Sequence, residues 1–134
     1  MPQPGSARTG LTAISGINAG SVWATWDEYG HMDICEQSFV LHWDGKAWRD
    51  AIELKSFPLV CMRDLFAADK ENIWAAGSPT YAFSGVGALY TWTSAMDWTD
   101  ECYTRNSMRG IWGTDANHIW AVGGELDIMF YGGD

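Results

Sequence analysis

The residues best suited to chemistry lie in one acidic stretch near the first third of the chain. His31, Asp33 and Cys35 alternate along it, with Glu28 and Glu36 close by. Imidazole, carboxylate and thiolate groups are metal ligands, so a loop that gathers them could hold a cation. The competing interpretation, which we favour, is a solvated acidic loop between two strands, because unpatterned acidic segments commonly belong to loops. We therefore predict no metal site and no cofactor.

Nucleophilic catalysis finds no matching arrangement in the sequence. His42 and His118 are isolated, and neither has a serine or cysteine and an acid in a plausible triad order. The pair Ser84-Gly85 lacks the flanking residues of a GxSxG elbow. We predict no catalytic residue and no enzymatic activity.

Composition and charge describe a folded domain and exclude two classes of partner. The chain has 134 residues, of which 47% are hydrophobic and 19% charged, so it can bury a core. Its formal net charge is −9 and its eight Lys and Arg residues are scattered, which argues against a nucleic-acid partner. The apolar runs are too short for membrane insertion. Residues 1–10 lack the apolar core of a secretory signal and are predicted to be a flexible lead.

Three stretches of the sequence align without gaps. They are LTAISGINAGSVWA, MRDLFAADKENIWA and MRGIWGTDANHIWA, which begin at Leu11, Met62 and Met108, so the spacing is 51 and then 46 residues. Each reads as an apolar strand, a turn signalled by Asn or Asp, and a second strand. The alignment makes two sets of residues equivalent: Val22, Ile73 and Ile119, and Trp23, Trp74 and Trp120. Since a strand presents alternate residues to opposite faces, adjacent residues such as Ile73 and Trp74 lie on opposite sides of the sheet, and both sides are covered only if blades stack face to face.

Each unit continues into a third strand, and the first two units into a fourth. The predicted strands are Leu11–Ile17, Ser21–Trp26, Ser38–Trp43, Ala47–Leu54, Met62–Ala68, Asn72–Gly77, Ala88–Thr93, Trp98–Thr104, Met108–Gly113, His118–Gly123 and Asp127–Tyr131. The longest predicted loops are Asp27–Gln37 and Ser78–Gly87. Four short antiparallel strands at this period are typical of β-propeller blades. We predict an all-β chain with one partial propeller domain over 11–134, made of repeats 11–57, 58–104 and 105–134, roughly 2.75 blades.

The recurring phrases IWGTDANHIWAVGG and VLHWDGKAW carry a family resemblance. They resemble the Trp-rich β-propeller repeats of bacterial surface and exported proteins, of the BNR/Asp-box and photosystem II assembly-factor type, and more distantly tectonin-type lectin repeats. The resemblance implies a propeller fold and favours an extracellular or cell-surface location. HWDGKAW departs from the Asp-box, because Asp44, Gly45 and Trp48 are one residue too close. No sialidase arginine triad is apparent among Arg8, Arg49, Arg63, Arg105 and Arg109, and no catalytic residue is carried over.

Aromatic residues at the aligned third-strand position are candidates for sugar binding. Trp43, Trp92 and Tyr131 are equivalent, and Asp44 follows the first of them. Aromatic rings can stack on a sugar while a carboxylate bonds its hydroxyl groups, so these four residues are the candidate ligand-binding set. The alternative, which we favour, is packing between blades, since core residues also recur at fixed positions.

The three cysteines leave two possibilities open. No CxxC spacing occurs, which argues against a zinc or thioredoxin-type motif. In a propeller, the segment around Cys35 and the link containing Cys61 lie on the same side, so a Cys35–Cys61 disulfide with one spare thiol at Cys102 is one possibility. Three reduced thiols are the other.

The third unit lacks its fourth strand, which has consequences for assembly. A chain with about 2.75 blades cannot close a propeller ring alone, and its first and last blades would each leave an apolar face uncovered. We predict a homo-oligomer, in which two copies give about six blades, or a larger protein that completes the ring. The lead could supply the missing strand, although Pro2 and Pro4 disfavour this. The predicted function is a non-enzymatic binding or assembly module. The alternatives are a lectin-like propeller that binds a glycan and a fragment of an Asp-box glycoside hydrolase.

Overall fold

The computed structural model describes residues 8–29, 35–51, 60–79, 87–93 and 97–133. Within these ranges the chain is all-β, and the one helical segment is a 3₁₀ turn at Gly124–Leu126. The strands are β1 (Arg8–Asn18), β2 (Ser21–Tyr29), β3 (Cys35–Trp43), β4 (Trp48–Asp50), β5 (Val60–Asp69), β6 (Asn72–Pro79), β7 (Gly87–Thr93), β8 (Asp97–Thr104), β9 (Met108–Asp115), β10 (His118–Gly123) and β11 (Ile128–Tyr131).

These strands form three antiparallel sheets in which each strand pairs with the next one in sequence. The first sheet has the order β1-β2-β3-β4, the second β5-β6-β7-β8, and the third β9-β10-β11. None of the sheets closes on itself within the described residues. The prediction of an all-β chain with antiparallel sheets is confirmed.

The first turn of each sheet is held by a short polar side chain at the aligned position. The side-chain oxygens of Asn18, Asp69 and Asp115 each accept the backbone N–H two residues further on, at 2.8 Å in all three turns. Asn and Asp favour turns because their side chains bond the local backbone in this way. The turn prediction made from the sequence is confirmed at these three positions.

Several strands are longer than predicted, most clearly around the acidic stretch. The predicted loop Asp27–Gln37 is wrong at both ends, because β2 extends to Tyr29 and β3 begins at Cys35. The pairing continues through Asp27 and Ser38, and Asp27 is fully buried. Its carboxylate accepts a hydrogen bond from the Ser38 hydroxyl, so a charged residue is accommodated in a strand interior.

Other strand boundaries also differ from the prediction. β1 starts at Arg8, inside the predicted lead, and Ser78, Pro79 and Gly87 belong to strands rather than to the predicted loop. The fourth strand of the first sheet is shorter than predicted, and residues 52–54 of that prediction lie outside the described residues.

The second sheet lies between the other two and shares a hydrophobic core with each. We call the face of a sheet that carries Trp23, Trp74 or Trp120 its front face, and the face with Val22, Ile73 or Ile119 its back face. The front of the first sheet packs on the back of the second in one cluster that contains Trp23, Val40, Leu65, Ile73 and Trp92. The front of the second sheet packs on the back of the third in another, which contains Trp74, Leu89, Met108, Ile111 and Ile119. Both faces of the middle sheet are therefore covered.

Candidate functional site

The front face of the third sheet is apolar and exposed. Trp112 and Phe130 both pair with Trp120 across the strands, and the ring centroids lie 6.0 Å and 4.8 Å from that of Trp120. The exposed fractions are 62% for Trp112, 39% for Trp120 and 56% for Phe130. Val122 and Ile128, which pair with each other beside this aromatic row, are also exposed. These five side chains form one continuous apolar surface on three strands.

The back face of the first sheet is the second exposed apolar surface. Leu11 is 63% exposed and Ile14 66% exposed, although both lie on a strand that is paired along its length. Beside them is a cavity of about 350 Å³, and its lining includes Ile14, Ala24, Leu41 and Trp48. This surface is a groove rather than a plane.

Both surfaces use positions that are buried elsewhere in the same chain. Trp120 aligns with Trp23 and Trp74, which are only 2% and 3% exposed. Ile14 aligns with Leu65, which is 2% exposed. The exposed faces therefore carry the same kinds of side chain that form the core where another sheet covers them.

Polar contacts accompany the apolar packing between the first two sheets. The backbone N–H of Met62 donates to Ser38 Oγ at 2.7 Å, and that hydroxyl donates in turn to the buried Asp27. Near the other end of β5, the N–H of Ala67 donates to Ser15 Oγ at 2.9 Å. These bonds fix the position of β5 on the first sheet, because buried polar groups must be paired.

A carboxylate makes the corresponding link between the second and third sheets. Asp64 Oδ2 accepts the backbone N–H of Ile111 at 2.8 Å, and its Oδ1 accepts the N–H of Leu65 at 2.9 Å. Asp64 is thus occupied by two backbone donors. It positions the third sheet on the second.

A disulfide between Cys35 and Cys61 also joins the first two sheets. The two Cα atoms are 6.3 Å apart, one in β3 and the other in β5. Of the two possibilities left open by the sequence, the structure therefore contains the disulfide, and the side chain of Cys102 lies outside the described part.

The same bond bears on the predicted loop chemistry. Cys35 is not available as a thiolate ligand, and His31 and Asp33 lie outside the described residues. Within the described ranges no group of three or more His, Cys, Asp and Glu residues is placed to hold a metal ion.

Trp43 and Asp44, the first two candidate sugar-binding residues, lie together at the end of β3. Trp43 is half-buried on the back face of the first sheet, its Nε1–H donates to the carbonyl of Ala19 at 3.1 Å, and its ring lies 5.9 Å from that of Trp48. Asp44 is exposed and accepts the backbone N–H groups of Lys46 and Ala47 at 2.9 Å and 3.0 Å. The bond from Ala47 and then that from Lys46 hold the pKa of Asp44 below its ordinary value.

Asp44 also has a cationic partner. Its Oδ2 lies 2.7 Å from Nη2 of Arg49. The Asp44 carboxylate is therefore bonded within its own turn and to Arg49. Of the two candidate residues, Trp43 alone leaves part of its side chain open to a ligand.

Trp92 and Tyr131, the other two candidates, lie in the packed interior between sheets. Trp92 is 6% exposed and belongs to the core between the first two sheets. Tyr131 is half-buried against the next core, with its ring centroid 4.8 Å from that of Trp74. The structure thus does not bring Trp43, Trp92 and Tyr131 to one surface.

Both described histidines have local partners. His42 stacks on Trp23 with ring centroids 4.4 Å apart, and its Nε2 lies 2.9 Å from Ser21 Oγ. His118 Nδ1 lies 2.8 Å from Asp115 Oδ1, and this bond holds the pKa of Asp115 below its ordinary value. The partner of His42 is thus a serine hydroxyl, and that of His118 is a carboxylate.

Two arginines that are separate in sequence lie close together in the fold. Arg63 and Arg109 line one cavity of about 370 Å³ together with Ser107. The arginines are scattered in the sequence, although the aligned Met-Arg pairs near the start of β5 and β9 indicate that these two share a side.

Comparisons with known proteins give no family for the chain. A scan of protein-family models finds no match, and a search of the curated proteins finds none either. In the described part of the chain there is no helix of the length and apolar character that crossing a membrane requires.

Proposed function

We propose that the chain is a non-enzymatic binding or assembly module of the β-propeller type, in which the three sheets act as blades and copies associate into a closed ring. The observation that carries this proposal is the exposure of an apolar face at each end of the row of sheets. The middle sheet is covered on both faces, whereas each end sheet is covered on one face only.

The size of the exposed surface supports this reading. At about 200 Å² for an aromatic side chain, the exposed fractions of Trp112, Trp120 and Phe130 correspond to roughly 300 Å² of aromatic surface. The largest apolar patch on a soluble monomer has about this size and is often functional. Covering the aromatic row contributes about 7.5 kcal/mol at ~25 cal/mol per Å², before the costs of association are subtracted.

The outer edge of the third sheet also favours association. The equivalent strands β3 and β7 each pair with a fourth strand, whereas within the described residues the third sheet ends at β11. An unpaired strand edge is a template for pairing with another chain. A larger protein that contributes further sheets would satisfy the same edge and faces.

The disulfide favours an oxidising compartment for this module. Disulfides such as Cys35–Cys61 persist mainly in exported proteins and at cell surfaces. The proposal therefore places the module outside the cytosol.

The native mass tests the proposal. Size-exclusion chromatography with multi-angle light scattering is expected to give at least twice the chain mass of 14.9 kDa, and two copies would supply about six blades. Dilution should shift the particle toward the single-chain mass, since association follows mass action. A monodisperse single-chain particle from micromolar to near-millimolar concentration contradicts self-association.

Carbohydrate binding is a second candidate, supported by the partly open Trp43 ring beside the Trp48 ring. Two tilted indoles on one surface can stack on the apolar faces of a sugar ring. A glycan array with the unaltered chain and with Trp43→Ala separates the candidates. We expect a glycan-dependent signal that Trp43→Ala abolishes if this second function is correct, and no such signal if the chain is an assembly module alone.

A further inference from the structure

The two exposed apolar faces belong to opposite sides of their sheets. The third sheet exposes its front face, and the first sheet exposes its back face. In both covered interfaces of the chain, a front face meets a back face. The exposed pair is therefore complementary in the same sense as the pairs that are already joined.

We propose that the front face of the third sheet docks on the back face of the first sheet of a second copy, so that the contact between copies is head-to-tail. This rests on the proposed function and specifies its partner surface. A head-to-tail contact joins two different patches and closes a ring when its rotation permits, whereas a contact centred on a two-fold axis would join one patch to itself.

The aligned residues indicate which side chains meet. Trp23 shares a core with Ile73 on the back face of the second sheet, and Trp74 shares a core with Ile119 on the back face of the third sheet. Trp120 is the third of the aligned tryptophans. The residue aligned with Ile73 and Ile119 on the back face of the first sheet is Val22, so Val22 of a second copy is the counterpart of Trp120. Beside that position lies the apolar cavity of about 350 Å³. A cavity of roughly 150 Å³ already admits benzene, so this one has room for an indole ring.

The area is adequate for a two-copy ring. The aromatic row of one front face contributes roughly 300 Å², and the exposed aliphatic residues with the opposing face bring one junction to about 600 Å². A ring of two copies makes this junction twice and buries about 1,200 Å², which reaches the lower bound for specific, stable interfaces. A single junction falls below that bound, so closure of the ring matters for stability.

Two double variants test the head-to-tail arrangement. The front variant is Trp112→Glu with Trp120→Glu, and the back variant is Leu11→Glu with Ile14→Glu. Because every junction uses one front face and one back face, we expect each variant alone to have the mass of one chain. An equimolar mixture retains one intact junction and is expected to form a 1:1 heterodimer. Its dissociation constant should be about 10²–10⁴-fold higher than that of the unaltered assembly, because the second contact is no longer intramolecular.

The outcomes separate this inference from the proposed function. A single-chain mass for the unaltered protein contradicts the proposed function itself. If the unaltered protein assembles but one variant keeps its mass, the contact joins like faces and the head-to-tail inference is wrong. A mixture that stays monomeric at a concentration above about 10⁴ times the dissociation constant of the unaltered assembly also overturns it.

Controls guard against trivial loss of assembly. Lys70→Glu, in an exposed turn of the second sheet, also introduces an acidic side chain and should leave the mass unchanged. Circular dichroism must show that each variant is folded. If the back variant fails to fold, the milder Ile14→Gln replaces it, and if the front variant fails to fold, Phe130→Gln replaces it. These two positions are 66% and 56% exposed.

Discussion

Replacing Trp74 by alanine is expected to lower the free energy of unfolding by about 3–5 kcal/mol, the range for removing a large aromatic side chain from a core. Trp74 is 3% exposed and packs against Tyr131 in the core between the second and third sheets. Its removal leaves a cavity that those two sheets can only partly fill. Urea unfolding followed by circular dichroism measures the change, and the midpoint should fall with little change in slope.

Trp120→Ala is the matched control, because it removes the same side chain from the aligned position of another sheet. Trp120 is 39% exposed, so in a single chain we expect a loss well below that of Trp74→Ala. The stability comparison must therefore be made at protein concentrations where the chain is monomeric. Equal losses at both positions would mean that a further element covers the front face of the third sheet in the monomer.

The strands and turns could be predicted because their signals are local. Short apolar segments bounded by turn residues mark β1 and β9, and Asn18, Asp69 and Asp115 mark the turns through bonds to their own backbone. β11 is informative in another way: four successive apolar residues, IMFY, predict a strand whose two faces both require cover. The exposed aromatic surface of the third sheet could have been anticipated from that run.

Burial of charged and aromatic residues could not be predicted, since it depends on which sheet lies opposite. Asp27 resembles a loop residue in sequence, yet it is buried beside Ser38, eleven residues away, which itself bonds Met62 of another sheet. Trp43 and Trp92 occupy aligned positions, but only Trp92 has a sheet packed over it. The alignment therefore identifies equivalent residues, whereas the order of the sheets decides which of them a ligand or a partner can reach.

The double replacement Cys35→Ser with Cys61→Ser is expected to lower the free energy of unfolding by about 3.5 kcal/mol, the chain-entropy value for a loop of this length. The two cysteines are 26 residues apart in sequence. The disulfide reduces the conformational entropy of the unfolded chain. It also joins β3 of the first sheet to β5 of the second, beside the hydrogen bond from Met62 to Ser38. Urea unfolding at a fixed protein concentration measures the loss, and the reduced, unaltered protein should reproduce it.

Cys102→Ser is the control for this replacement, because it changes one thiol and leaves the Cys35–Cys61 bond in place. We expect it to retain more stability than the double variant under non-reducing conditions. Loss of the bond should also raise the slope of the urea transition, since an unlinked unfolded chain is more expanded and exposes more surface. A double variant as stable as the unaltered protein would mean that the shared hydrophobic core and the Ser38 bonds alone hold the first two sheets together.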